Sequence, residues 1–544
     1  MKTNLRKYLS LALAVSVGLG IASCKKEAFV EANLDPATLY EVSPENQFLA
    51  ASQQVANDYE YYYDVYRSLN LWLQYSTPSA GNGLNFNLPS GNFNHRYNNF
   101  YNNVGTKLMD AIQIIDAMPE ETRASYGDIR NIAEILFNYY AFYTSDINGS
   151  IPYSEAFQAR YGGTLTPAYD PQQSLFTAID AVVAQAVNNL KAPTSVEQVN
   201  LGLNDPFFAG KKEYWIKAGN ALRLRIASRF MKRDEAKLRA IASEVLSDAN
   251  QMSSIDDSWE FKAGPTYARA ADNWNPASYI AAKPLLDFMV NNNDPRLPIY
   301  FRPNAGGTYV GGFPSPDESR KPEHSSLYET INNFSQLQHR LFTPNYDEGN
   351  GAGTGSAFFP LITYPEYCFL RADFAARGYT SDNAEEWYRK GVYASLEYYD
   401  KHAGPSSTTE IGLNVGTDVE GHVAVSEAQK DTYYNSEKVR FNASTAVEQI
   451  AVQAYFDFYR NPFEAWSWWK RTGYPSTNSS VFAWARLTAN GSDLALPRRA
   501  PLSYLPTSNL NYENQRTALE QMMQDPSFGS APGDAFGRVW WDAQ

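Results

Sequence analysis

Five histidines, His95, His324, His339, His402 and His422, are scattered through 544 residues. No two have the spacing at which a helix presents a metal-binding pair, and no HExxH occurs. A GxSxG elbow, which would expose an acyl-transfer serine on a strand-to-helix turn, is also missing. The run Gly351-Ala352-Gly353-Thr354-Gly355-Ser356 lacks the lysine of a phosphate-binding loop and leads into Ala357-Phe358-Phe359-Pro360, so it reads as a flexible loop. A retaining glycosidase needs two carboxyl groups about 5–5.5 Å apart. The adjacent pairs Asp256-Asp257 and Glu385-Glu386 are more simply solvated charges at a turn and a helix start. The expectation is a binding module without turnover, metal or cofactor.

What remains for chemistry is polar and aromatic. Aromatics make up 14% of the chain, with 38 Tyr and 11 Trp, residues that combine an apolar face with a polar handle. Nine asparagines lie between Asn82 and Asn103, interleaved with Phe86, Phe93, Tyr97, Phe100 and Tyr101, and Trp72 and Tyr75 precede them. An Asn side chain offers donor and acceptor together, which suits sugar hydroxyls and peptide backbones alike. Aromatic faces can stack on sugar rings or pack peptide side chains. The expected ligand-binding residues are Trp72, Tyr75, Asn85, Phe86, Phe93, Asn94 and Tyr97, with Trp274 of Asp272-Asn273-Trp274-Asn275 as a second contributor. The plainer alternative is that Asn is a good turn residue and that Phe100 and Tyr101 belong to a helix core.

The N-terminus is a processing signal. Lys2, Arg6 and Lys7 precede an apolar stretch from Tyr8 to Ile21, close to the about 7–15 residues of a secretory h-region and short of the roughly 20 that span a membrane. Ile21-Ala22-Ser23-Cys24 resembles a bacterial lipobox, so Cys24 is expected to be lipidated and to begin the mature chain. Several acyl chains anchor firmly where one does not, at about 0.8 kcal/mol per buried CH₂. The expected organisation is a signal peptide over 1–23, an anchor and tether over 24–43, and a single domain over 44–544. Cys368, flanked by Tyr367, Phe369 and Leu370, reads as a buried structural thiol.

The formal charge of −13 becomes −16 once Lys2, Arg6 and Lys7 are removed, because residues 1–23 hold no acid. That balance argues against nucleic acid, which needs clustered Lys and Arg.

The elements that must position these residues are helices. Ile129, Ile132, Ala133, Leu136, Tyr139, Tyr140 and Tyr143 fall on one face of the stretch 129–143, and Trp215, Ala218, Leu222, Ile226 and Phe230 on one face of 213–230, with Arg223, Arg225 and Arg229 off that stripe. Helices are also expected near 46–68, 98–117, 172–190, 234–249, 277–291, 364–377, 383–401 and 444–460, several behind caps or Pro such as Ser43-Pro44, Asp170-Pro171 and Ser381. Long polar segments intervene at 76–97, 303–325, 342–358, 404–436 and 472–512, and loops of that length usually carry function. Paired helices suggest a scaffold of helical hairpins, although the tetratricopeptide consensus is not visible.

In order along the chain, several segments resemble those of the SusD/RagB family of nutrient-binding lipoproteins, in particular its SusD-like branch. Asp146-Ile147-Asn148-Gly149-Ser150-Ile151-Pro152-Tyr153-Ser154-Glu155-Ala156 looks like that branch's D-x-x-G-x-I-P-Y-x-E-A segment, and Trp215 to Arg225 is similar to its W-x-K-x-x-N-S-L-x-L-R helix. Asp294-Pro295-Arg296-Leu297-Pro298, Thr363-Tyr364-Pro365-Glu366 and Phe463-Glu464-Ala465-Trp466 with Arg471-Thr472-Gly473-Tyr474-Pro475 continue the series. Pro365, Ala221 and Lys470 depart from the usual pattern. The resemblance covers nearly the whole mature chain, and its motifs read as scaffold. It implies a mainly α fold in which tetratricopeptide-like helix pairs support an irregular, long-loop ligand-binding half. It also implies a surface-exposed outer-membrane lipoprotein that captures oligosaccharide or oligopeptide and passes it to a SusC-like TonB-dependent transporter. The rival readings are a surface glycosidase or peptidase, and a purely structural outer-membrane lipoprotein.

Overall fold

The 3.6-residue stripes mature into packed helix pairs. Helix α1 (Pro44–Ser52) packs on α2 (Gly105–Asp116), α2 on α3 (Gly127–Asn148), α3 on α4 (Gln172–Lys191), α4 on α5 (Lys212–Arg229) and α5 on α6 (Glu235–Ser247). In a second group α7 (Tyr364–Ala376) packs on α8 (Ala384–Ala403) and α9 (Ala446–Asp457), and α9 on α10 (Pro462–Thr472); α5 and α7 join the two groups. In this computed structural model residues 42–57, 59–89, 93–263, 278–342, 357–404 and 423–544 are described, and Pro44–Gln544 forms one unit. The architecture is mainly α, a tetratricopeptide-like scaffold of helical hairpins with an irregular half of long loops. Its described strands are short: β1 (Ser76–Pro78) runs antiparallel to β3 (Tyr279–Ala281), and β2 (Trp259–Ala263) to β4 (Ala357–Ile362).

Local chemistry accounts for most boundaries. Asp234, Thr363 and Asn461 cap α6, α7 and α10 by accepting the backbone N–H of Lys237, Glu366 and Glu464. The cap of α8 is Asn383, not Ser381. The expected helix 46–68 is broken: α1 ends at Ser52, and Asn57 Oδ1 accepts Glu60 N–H at 3.1 Å to start a new helix whose Glu60–Leu69 stretch is π-helical. The expected helix 277–291 begins only at Lys283, where Pro284 favours initiation, after β3. Helices over Glu427–Tyr434, α10 and α11 (Tyr512–Met522) lie where no helix was expected.

The arginines off the α5 stripe are not solvated. Arg223, Arg225 and Arg229 are all buried, so the helix is enclosed nearly all round. Arg225 Nε donates to Glu366 Oε1 at 2.6 Å, while Arg229 reaches Asp146 at 2.8 Å and both oxygens of Glu464 at 3.0 and 2.8 Å. Ser467 also donates to Asp146, at 2.6 Å. Each of these acidic residues comes from a different segment that carries the family resemblance, so the motifs meet in one buried ionic cluster joining α3, α5, α7 and α10. Gly149 ends α3 at φ +76°, a conformation that favours glycine. Arg296 is likewise buried and grips its own neighbour Asp294 at 3.0 and 2.7 Å.

Candidate functional site

The loop expected to bind ligand divides into three environments. Trp72, Tyr75 and Phe93 are core side chains, which corrects their expected exposure as stacking faces. Trp72 packs between Phe93 and Trp466 at ring centroid distances of 5.2 and 5.8 Å, and its Nε1 donates to Phe86 O at 3.1 Å. Tyr75 stacks on Tyr455 at 4.5 Å and donates to its carbonyl. Most of the polar capacity of the asparagines is also spent inward: Asn82 donates to Pro314 O, Asn87 to Ala495 O and Asn99 to Gln54 O. These bonds pin the loop to distant segments. Asn85 is exposed and Phe86 half-buried on the turn that follows β1. Trp274 and Cys24 lie outside the described residues.

Asn94 and Tyr97 do come together. They sit at the start and on one side of the short helix His95–Asn99, and with Asn98, Asn148, Tyr169 and Gln515 they line a cleft of about 190 Å³ closed on another side by Leu502, Leu505, Leu519 and Met522. Oδ1 of Asn94 and of Asn148 has no hydrogen-bond partner among the described residues, although Asn148 is almost fully buried. A buried acceptor left unpaired is costly, and the hydroxyl or amide of a ligand would satisfy it.

The other side of the same short helix carries the feature that sequence inspection missed. Tyr59, Tyr63 and His95 form a triangular cluster of near-parallel rings, with interplanar angles of 2°, 12° and 11° and every pair of centroids 5.5–6.4 Å apart. Tyr59 is 55% exposed, and Tyr63 and His95 are partly so. Tyr62 stands edge-on to Tyr63 at 4.8 Å, and the Arg67 guanidinium lies 5.6 and 5.8 Å from those two rings. Arg67 and Tyr62 also act electrostatically on Tyr279 of β3, whose phenol burial pushes above its ordinary pKa. The signal was the run Tyr59-Glu60-Tyr61-Tyr62-Tyr63, where residues four apart fall on one helical face. The π-helical turn here fits a site, since such turns recur where function requires them.

Buried polar groups support the cluster. Asp64 Oδ1 lies 3.0 Å from His95 Nδ1, and burial raises the pKa of that carboxyl. Burial pushes Glu60 up to about 7, against the pull of Arg96 at 3.5 Å, and Glu60 accepts the hydroxyl of Tyr143 at 2.6 Å. The Arg96 guanidinium in turn packs on the rings of Tyr143 and Phe463 at 3.6 and 4.1 Å. Both carboxylates are buried in the helix that they support. The cluster is thus a pre-positioned aromatic surface with polar supports, able to stack and orient a ligand. Cys368 is enclosed in the core, and burial pushes its thiol up to about 12. Among the described residues no group of three or more His, Cys, Asp or Glu is placed to hold a metal ion.

A family model described as SusD-like, "Starch-binding associating with outer membrane", matches residues 36–501. Curated proteins yield no match. Among solved structures, a chitin-binding protein is similar at 22% identity, with a TM-score of 0.69 over 92% of this chain and 100% of that one. A SusD homolog from Bacteroides fragilis gives 19% identity and a TM-score of 0.67 over 92% and 100% of the two chains. A chitin-binding SusD homolog from Flavobacterium johnsoniae gives 20% identity and 0.64 over 92% and 99%. At these identities the likeness is one of fold.

Proposed function

The chain belongs to the SusD-like family, described as starch-binding and associating with the outer membrane, and from that membership we propose that it captures oligosaccharides at the cell surface without cleaving them. The observation that carries this reading is the partly exposed cluster of near-parallel rings of Tyr59, Tyr63 and His95, whose aromatic faces suit the apolar faces of sugar rings. The asparagine-lined cleft on the other side of the His95–Asn99 helix supplies the polar contacts that fix one sugar residue. That two similar structures are named chitin-binding makes β-linked N-acetylglucosamine oligomers, beside starch-derived ones, the first ligands to try.

The test is a calorimetric titration of the protein with malto-oligosaccharides, chito-oligosaccharides and oligopeptides. The double variant Tyr59→Ala/Tyr63→Ala should weaken binding of the preferred sugar by about 1–2 kcal/mol, as removal of a dominant contact does, while its thermal midpoint stays near that of the parent. The sugar should be recovered at its original length. Peptide binding alone, or parental affinity in the folded double variant, would mean that the cluster is not the site.

The same reading places Cys24 as the lipidated first residue of the mature protein, residues 24–43 as anchor and tether, 44–544 as the binding domain, and a SusC-like TonB-dependent transporter as the partner. Detergent extracts of native membranes should contain a complex of this chain with a large β-barrel protein. The Cys24→Ala form should leave the membrane fraction. Recovery of the parent protein alone would argue against the partnership, and a Cys24→Ala form that stays membrane-bound would argue against the anchor.

A further inference from the structure

At the C-terminal end of α10 a surface cleft of about 730 Å³ is lined by six basic side chains: Lys232, Arg377, Lys470, Arg471, Arg498 and Arg538. The cluster runs against the charge of the protein, which is −13. The fold accounts for part of it. Lys470 and Arg471 stand in the last turn of α10, where cations meet the negative end of the helix dipole. Asp373 pairs with Arg471 and, at 2.8 Å, with Arg377; Asp542 pairs with Arg498 at 2.6 Å and Arg538 at 3.1 Å. Two carboxylates therefore serve four guanidinium groups.

The remaining donors are not matched. Among the described residues Lys232 Nζ donates only to backbone carbonyls, at 2.8 Å to Ala543 and 3.4 Å to Lys470. Nε and Nη2 of the buried Arg471 have no hydrogen-bond partner there, nor has Lys470 Nζ, which lies 4.1 and 4.7 Å from the rings of Trp466 and Trp541. Burial drives Lys470 down to about 7. Even with Lys470 taken as neutral, the five cations Lys232, Arg377, Arg471, Arg498 and Arg538 share the two carboxylates of Asp373 and Asp542. Like charges gathered this way repel one another, and guanidinium forks match the paired oxygens of an oxyanion.

We propose that this cleft binds a phosphate group, carried free in solution or on a lipid headgroup. This excess of positive charge suits a dianion, and an open cleft admits a group that projects from a larger molecule. The cleft shares no residue with the Tyr59, Tyr63 and His95 cluster or with the asparagine-lined cleft.

The test uses the full chain bearing Cys24→Ala, so that no acyl anchor contributes. Inorganic phosphate is titrated calorimetrically at neutral pH and low salt, and binding to phosphatidylcholine vesicles with and without phosphatidylglycerol is measured by sedimentation. The parent should bind phosphate saturably. The variant Lys232→Gln/Arg538→Gln should bind it at least about tenfold more weakly, the scale of a lost charge-assisted hydrogen bond, with the same thermal midpoint and the same affinity for sugar. Should that variant not fold, Arg377→Gln carries the same expectation. Sedimentation with phosphatidylglycerol vesicles that the variant loses assigns the headgroup source, and phosphate binding without it assigns the soluble one. Failure to saturate in both arms, or parental behaviour of a folded variant, overturns the proposal.

Discussion

Replacing Arg229 by Ala should destabilise the protein by about 3–5 kcal/mol, the cost of removing one partner from a buried ion pair. Arg229 is enclosed in the core and serves Asp146 and Glu464 together. Its loss leaves the buried Asp146 on α3 without its paired guanidinium, and leaves the buried Glu464 on α10 only the longer contact to Arg225 at 3.6 Å. Against a total stability of about 5–15 kcal/mol for a typical native protein, such a loss should appear as a large fall in the urea midpoint and a low soluble yield. The cluster also predicts non-additivity. The triple variant Arg229→Met/Asp146→Asn/Glu464→Gln removes the charges as a set and should cost less than Arg229→Ala alone, because no buried charge is left uncompensated. A single variant that unfolds at the parental urea concentration would show that the cluster does not hold these helices together.

Trp72→Ala should cost about 3–5 kcal/mol through the cavity it leaves, while the folded fraction keeps its affinity for ligand. This residue, expected from sequence to stack on a ligand, instead fills the space between Phe93 and Trp466 and ties down the turn at Phe86. Trp72→Phe separates the two contributions. It keeps an aromatic ring in the core but removes the Nε1 donor, whose bond should be worth about 1 kcal/mol. Denaturation midpoints and sugar titrations on the two variants check both statements. A Trp72→Ala protein of parental stability that no longer binds sugar would return this residue to the binding surface.

The contrast between Trp72 and Tyr59 shows where sequence inspection loses resolution. Trp72 stands between Leu71 and Leu73 and Tyr59 between Asp58 and Glu60, a local difference that hints at burial but names no partner. Trp72 is core because Trp466, nearly four hundred residues away, comes to meet it; Tyr75 is core because Tyr455 does. Tyr59 lies at the start of the helix that Asn57 caps, beyond the break at residues 53–57, and stays exposed. The nine asparagines have no common role for the same reason. Asn82, Asn87 and Asn99 donate to backbone carbonyls, whereas Asn94 presents an unpartnered oxygen in a cleft that Asn148 of α3 also lines.

What the sequence by itself determined is what depends on neighbours within about one or two turns. The stripes on 129–143 and 213–230, the Pro and Asn residues that start helices, and Gly149 as a stop are local consequences of periodicity and backbone stereochemistry. The ordered motifs could be recognised for a related reason, since each is a short segment with its own backbone requirement. Only the tertiary structure decided which partners the charged motif residues take. Arg225 and Arg229 fell off the apolar stripe and would be solvated on an isolated helix, yet Glu366, Asp146 and Glu464 surround them from three other helices. The same holds for the cationic cleft, where Lys232, Arg377, Arg498 and Arg538 converge from four separate segments. A charge buried alone is prohibitively costly and a charge buried with its counter-ion is not, so whether an arginine belongs inside is a property of the assembled fold and not of the helix that carries it.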